Sequence, residues 1–308
     1  MEIHTKSVYA VIVSWNGIAW IRQTLESLQR STFPVRIVTV DNASTDETVK
    51  TIHDFFTDVD VLSMPANLGF AKANNHGISY ALSQGADYVL LLNQDAKVDP
   101  SMVGLLVYLL EKYPDFGVMS PLHLDYQGEG IDPVFFQHMR DNMRMVTDAF
   151  FSNLQELYEI PYINAAAWLV TRRVFQEVGG FDPLFFMYGE DQDYCQRMRF
   201  HGFKIGLAPK AIAYHWHGGG LNRPLAFSER YVRYYAEMLH RLKRPERLFI
   251  KSALGLLPTW TRRLVIMLMD LDLKGVHAII FSFFKVIFNF PRIWRHYECC
   301  KHRGDSWL

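Results

Sequence analysis

The stretch Val8-Tyr-Ala-Val-Ile-Val13 constrains this chain more than any other. It is a continuous apolar run rich in β-branched residues, the pattern of a strand buried on both faces. Helical spacing follows from Ile18 to Arg30, then a second strand, Arg36–Asp41, that ends on a carboxylate. Ser44, Thr45 and Asp46 precede a helix to about Phe56. Strand Asp60–Ser63, helix Ala71–Ser83 and strand Tyr88–Leu92 continue the alternation. Strands separated by helices of this length predict right-handed βαβ units and a mostly parallel sheet flanked by helices, an α/β fold. Ligands of such sheets sit beyond the carboxyl ends of the strands. Those ends read Ser14-Trp15-Asn16, Asp41-Asn42, Asn67 and Asn93-Gln94-Asp95, and all are polar.

Beyond a helix at 101–112, residues 121–161 look irregular, with Gly128, Gly130, Pro133 and Pro161, and are expected to border a binding cleft. Patterning resumes at Tyr162–Val170, followed by a helix at 172–178 and a turn at Gly179–Pro183. A helix from Glu190 to Phe200 and strands Phe203–Leu207 and Ala211–Tyr214 lead to His215-Trp-His217 and three glycines. With 49% hydrophobic and 21% charged residues among 308, the chain has the composition of a folded protein. Three cysteines and no Cys-x-x-Cys spacing predict a reducing compartment and no structural zinc. No Gly-x-Gly-x-x-Gly, phosphate-loop or Gly-x-Ser-x-Gly pattern supports a nicotinamide, P-loop or α/β-hydrolase reading.

The net charge of zero hides a split: residues 1–239 carry 19 basic against 27 acidic groups, and 240–308 carry 13 against 5. An acidic body argues against nucleic-acid binding. The basic tail by itself points to a membrane-surface or nucleic-acid contact. Met1 leads into Val8–Val13 without a basic leader, which predicts no secretory signal.

Asp95, just past a buried strand, is placed to hold a hard divalent cation or to cap the next helix. In Glu190-Asp191-Gln-Asp193, Asp193 faces Arg197 at i,i+4, an ordinary ion pair, and acids suit a helix N-terminus. His215 and His217 point to opposite sides of a strand end, so at most one shares a site with Asp95.

Six stretches carry a resemblance: Val11-Ile-Val-Ser-Trp-Asn-Gly17; Val40-Asp-Asn-Ala-Ser-Thr-Asp-Glu47; Asn67-Leu-Gly-Phe-Ala71 with Asn75-His-Gly77; Leu91-Leu-Asn-Gln-Asp95; Gly179-Gly-Phe-Asp-Pro-Leu-Phe-Phe186 with Gly189-Glu-Asp-Gln-Asp-Tyr194; and His215-Trp-His-Gly218. In this order they resemble the family 2 inverting glycosyltransferases of GT-A fold, especially the branch of bacterial rhamnosyltransferases. The resemblance covers roughly residues 8–220.

It implies that Asp41 binds the base or ribose end of a nucleotide-sugar, beside the turn Ser14, Trp15 and Asn16. Asn42, Asn67, Gly69, Asn75, Asn93, Gln94 and Glu190 fall among the implied substrate-binding positions. Asp95 matches the last acid of the family's metal motif and His215 a further ligand, for Mg²⁺ or Mn²⁺. Asn93 and Gln94 stand where many relatives carry acids. Asp191 matches the general base that deprotonates the acceptor hydroxyl in a single, inverting displacement. The implied donor is dTDP-rhamnose, with UDP-sugars second, and the acceptor a polysaccharide or lipid-linked glycan. A non-catalytic glycan- or membrane-binding scaffold is the alternative from another class.

Residues 1–239 are expected to form the transferase domain and 240–308 a helical extension. On a helical wheel, His277, Ser282, Lys285 and Asn289 fall on one polar arc of Val276–Phe290. Ile279, Ile280, Phe283, Phe284, Ile287, Phe288 and Phe290 lie opposite. A basic amphipathic helix over 274–296 predicts a peripheral protein on the cytoplasmic face of the bacterial membrane. A helix packed on the domain, or a homodimer interface, is the other reading.

Overall fold

The computed structural model describes residues 6–140, 142–216 and 225–308. The first third runs β1 (Val8–Ser14), α1 (Ile21–Gln29), β2 (Val35–Asp41), α2 (Thr48–Phe55), β3 (Asp60–Ser63), α3 (Phe70–Ser83) and β4 (Tyr88–Asn93). Next come β5 (Ala96–Val98), α4 (Met102–Lys112), β6 (Phe116–Asp125), α5 (Pro133–Met139), α6 (Met143–Phe150), β7 (Tyr158–Glu159) and β8 (Ala167–Thr171). The remainder is α7 (Arg172–Val178), α8 (Glu190–Phe200), β9 (Lys204–His215), α9 (Phe227–Leu242), α10 (Phe249–Met269), α11 (Leu273–Phe288) and α12 (Phe290–Cys299).

These strands form one sheet in the order β3-β2-β1-β4-β8-β6-β9-β5, with β7 on β9. β3, β2, β1 and β4 are parallel, as the alternation predicts. β8 runs antiparallel between β4 and β6, and β9 is parallel to β6. The expected pair of strands at 203–214 is one long strand, β9. Its register against β6 jumps from Pro121↔Ala208 to Leu122↔Ile212, so Pro209 sits in a bulge, where its missing N–H costs no ladder bond. The middle segment is more regular than expected: β6 reaches into it, and α5 and α6 bury Phe135, Met139 and Met145.

Both faces of the sheet are covered. Val8, Ala10 and Ile12 point into a core with α1 and α4. Tyr9 and Val11 point to the other side, with α3, α7 and α8. That second core also holds Leu239 and Leu242 of α9, Trp260 of α10, Ile279 of α11, and Ile293 and Tyr297 of α12. The basic tail is therefore fastened to the sheet by ordinary apolar burial.

The wheel of α11 is oriented differently from the expectation. Gly275, Val276, Ala278, Ile279, Ser282 and Val286 are buried. Ile280, Phe281, Phe283, Phe284, Ile287 and Phe288 face outward. Small residues at Gly275, Ala278 and Ser282 let α9 approach closely, and Ser282 Oγ donates to the Tyr231 carbonyl at 3.0 Å. Lys285, expected in solvent, lies over the rings of Tyr231 and Tyr235. The helix does not continue through Pro291: α12 departs at 71°, and its Pro stands in the first turn, where no N–H is needed. No single described helix is long and apolar enough to cross a membrane; α11 and α12 pass that test only as a bent pair.

Candidate active site

Beyond the carboxyl ends of β1 and β2 the chain builds a knot of polar turns. Asn16, at φ 48°, donates its N–H to Ser44 Oγ at 2.9 Å and accepts from the Thr45 N–H at 2.8 Å. Asp41 is buried at the end of β2, and its carboxylate accepts from the Ser44 N–H at 3.2 Å. Asn42 accepts from the Leu68 N–H at 2.8 Å and donates to Asn67 Oδ1 at 3.0 Å. Gly69, at φ +80°, has no room for a side chain, because a Cβ would lie 2.3 Å from the Phe186 carbonyl oxygen. Gln94 accepts from Ser14 Oγ at 3.0 Å and from the Trp15 N–H at 2.9 Å, tying β4 to the β1 turn. Trp15 itself is exposed. Asn75 lies deeper: its amide pairs with the Phe181 backbone in both directions, at 2.7 and 2.8 Å, and so braces the turn after α7.

Asp95 and His215 face each other. Pairing of β5 with β9 sets Ala96 opposite His215. Asp95 Oδ1 lies 3.5 Å from His215 Nε2, and Asn93 Nδ2 lies 3.3 Å from the same nitrogen. The other ring nitrogen, Nδ1, is 3.2 Å from Asp132 Oδ2. Asp132 is the N-cap of α5, its Oδ1 accepting from the Val134 and Phe135 N–H groups before Pro133 opens the helix. Burial lowers the His215 pKa, but its bonds to Asp132 and Asp95 outweigh that and push it up to about 9. A carboxylate behind Nδ1 with Nε2 turned to a second acid is a common way of presenting histidine to a divalent cation. Asp95 and His215 are thus paired side by side, two groups of the kinds that ligate divalent cations. His217 lies outside the described residues.

Asp191 sits in the first turn of α8, half-buried. Its Oδ2 accepts from Tyr162 Oη at 2.8 Å and its Oδ1 from the Gln192 N–H at 2.7 Å. Burial raises its pKa despite these bonds. Neighbouring Glu190 is 7% exposed, and its Oε2 has no hydrogen-bond partner among the described residues. Desolvation, then the charge of Asp191, pushes Glu190 up to about 8. The stretch 162–166 joins the two halves of the site: Tyr162 holds Asp191, and the Ala166 carbonyl accepts from the Asn93 N–H at 3.0 Å.

Asp193 points elsewhere. Its Oδ2 accepts from Arg197 Nε at 2.9 Å, as the spacing predicts, but the pair is buried rather than on the surface. Asp182, Asp193 and Cys300 bring three potential ligand atoms within 4.8 Å. Lys243 Nζ already bridges the two acids, 2.7 Å from Asp193 Oδ1. Burial pushes the Cys300 thiol up to about 12. This is an internal ion network, with an ammonium where a metal would have to go.

Comparison with known proteins gives the family and the fold. The family model of glycosyl transferase family 2 matches residues 9–179. The chain belongs to that family. It is a glycosyltransferase. A second model, the N-terminal domain of galactosyltransferase, matches residues 148–217, which include Asp191 and His215. Among curated relatives, N-acetylglucosaminyl-diphospho-decaprenol L-rhamnosyltransferase of Mycobacterium tuberculosis is 28% identical over 229 residues, 67% of this chain and 74% of that protein. The dTDP-rhamnosyl transferase RfbF of Shigella flexneri is 24% identical over 242 residues, 74% of this chain and 77% of that one. Among solved structures, S. aureus TarS 1-349 in complex with UDP has a TM-score of 0.54 at 14% identity, covering 80% of this chain and 68% of its own. GalNAc-T7 with UDP, GalNAc and Mn²⁺ has a TM-score of 0.56 at 17% identity, covering 78% and 51%. These likenesses establish the GT-A fold of the family 2 enzyme.

Asp132, Tyr162 and Lys243 were not singled out by the sequence. Only Asp132 has a local signal, the Asp-Pro that starts a helix.

Proposed function

We propose that this family 2 glycosyltransferase transfers rhamnose from dTDP-rhamnose to a hydroxyl of a lipid-linked glycan, inverting the anomeric centre, at the membrane surface. The rhamnosyltransferases among its relatives support the donor, and the decaprenol in one relative's name supports the acceptor class. The observation that carries the chemistry is Asp191: a half-buried carboxylate with raised pKa at a helix N-terminus, oriented by Tyr162. Its base role is the removal of the acceptor proton as the oxygen attacks. Glu190 beside it is a hydrogen-bonding partner for a sugar hydroxyl. The knot of Asp41, Asn42 and Asn16 receives the nucleoside end.

Asp95 and His215 would hold a divalent cation, with Asp132 setting the imidazole. Such an ion supplies charge neutralisation to a diphosphate leaving group. The outward Phe face of α11 and the exposed Arg292 and Arg295 support a peripheral seat on anionic lipid.

The experiment is a thermal-shift panel of dTDP-rhamnose, dTDP and UDP-sugars, with and without Mn²⁺, followed by donor turnover of Asp191→Asn. A ligand that binds only the folded state raises its melting temperature. Stabilisation by dTDP-rhamnose above the UDP-sugars is expected. The reverse order overturns the donor, and unimpaired turnover by Asp191→Asn overturns the base.

A further inference from the structure

We infer that Lys243, at the end of α9, is a positioning residue for Asp191, and that the C-terminal helices thereby set the aim of the catalytic helix. The inference rests on Asp191 as the base. Residues two apart on an α-helix project about 200° apart. Asp191 therefore faces the site and Tyr162 while Asp193 faces the interior. Whatever grips Asp193 fixes the rotation of the first turn of α8 about its axis.

The grip is specific. Lys243 Nζ is fully buried and bridges Asp193 to Asp182, which lies in the turn after α7. Asp182 also accepts from the Leu184 N–H at 2.8 Å and pairs with His296 of α12 at 2.7 Å. Arg197 closes the other side, donating to the Val178 and Gly180 carbonyls at 2.9 and 2.7 Å. Trp307, next to the last residue, lies over Arg197 at 4.8 Å and Lys243 at 5.7 Å. The Ser306 carbonyl accepts from the Gly180 N–H at 2.9 Å. Arg197 belongs to α8 itself, whereas Lys243 brings its charge from another helix. A buried charge stripped of its partner seeks a new one or admits water, and the backbone follows.

The test uses full-length protein, with two readouts: dTDP release from dTDP-rhamnose, and amide exchange across 190–194. Lys243→Met should lower kcat about 100-fold, the cost of roughly a 1 Å misplacement, with the donor KM unchanged because the nucleotide knot lies on β1 and β2. Asp193→Asn/Lys243→Met, which restores charge balance without the bridge, should fall between, about tenfold below the parent. Amide exchange in 190–194 should rise in the single variant and partly recover in the double.

A folded Lys243→Met with parental kcat and exchange overturns the inference, as does a single and double variant impaired alike. If Lys243→Met does not fold, the double variant decides, and parental turnover in it is refuting. If the parent releases no dTDP, it is the donor assignment that has failed; exchange then decides for Lys243, and unchanged exchange overturns it.

Discussion

The outward face of α11 yields a prediction whose size follows from the structure. Phe284 and Phe288 stack at 6.4 Å and are 51% and 80% exposed. A Phe side chain carries about 200 Å² of surface, so the two offer about 260 Å² to a bilayer. At about 25 cal/mol per Å², complete burial of that area contributes about 6.5 kcal/mol, an upper bound. Half-immersion still leaves about 3 kcal/mol, or about 10²-fold in partitioning. Phe284→Ala/Phe288→Ala should therefore abolish co-sedimentation with vesicles containing phosphatidylglycerol, at low and at high salt alike. Its melting temperature without lipid should barely move, because exposed substitutions change stability by about 0.5 kcal/mol or less. Unchanged co-sedimentation, with a melting temperature several degrees lower, would refute the membrane seat and assign these rings to a protein contact.

Asp191→Asn should reduce kcat by about 10²–10⁴-fold at an unchanged donor KM; Tyr162→Phe should cost less, since the carboxylate survives and loses only its orientation. If Asp95 and His215 hold a cation as proposed, Asp132→Asn should weaken Mn²⁺ binding by about 10–100-fold in a direct metal titration, because Asp132 orients the His215 imidazole. Glu190 makes stability depend on pH. Its folded-state pKa is raised to about 8 from an ordinary 4.5, so its contribution is complete below about pH 4.5 and is lost as pH rises through about 8. The melting temperature should fall across that window, and Glu190→Gln should flatten the slope; an unchanged slope would place the titration elsewhere.

Much of this protein was legible in one dimension because the relevant physics is local. Continuous apolar, β-branched runs mark β1, β2 and β4, which are buried on both faces, and the helical spacing between them dictates parallel pairing. Polar residues at 14–16, 41–42 and 93–95 then had to gather along one edge of the sheet, whatever the rest of the chain did. The order of those segments also carried the family. Asp132 was out of reach because its approach to His215 depends on β6 pairing with β9, with Asp125 opposite His215. Tyr162 meets Asp191 across 29 positions, and Lys243 meets Asp193 across 50. The wheel of α11 set Ile279 beside the phenylalanines and Ser282 opposite them, whereas the structure buries Ile279 and Ser282 together; periodicity could not tell which seam would find a partner. Close approach to α9 required the small side chains of Gly275, Ala278 and Ser282, so that seam went inward and the phenylalanines were left outside. Local periodicity decides which elements form; the partner of a buried charge or a helix face is decided only when distant segments compete for the same space.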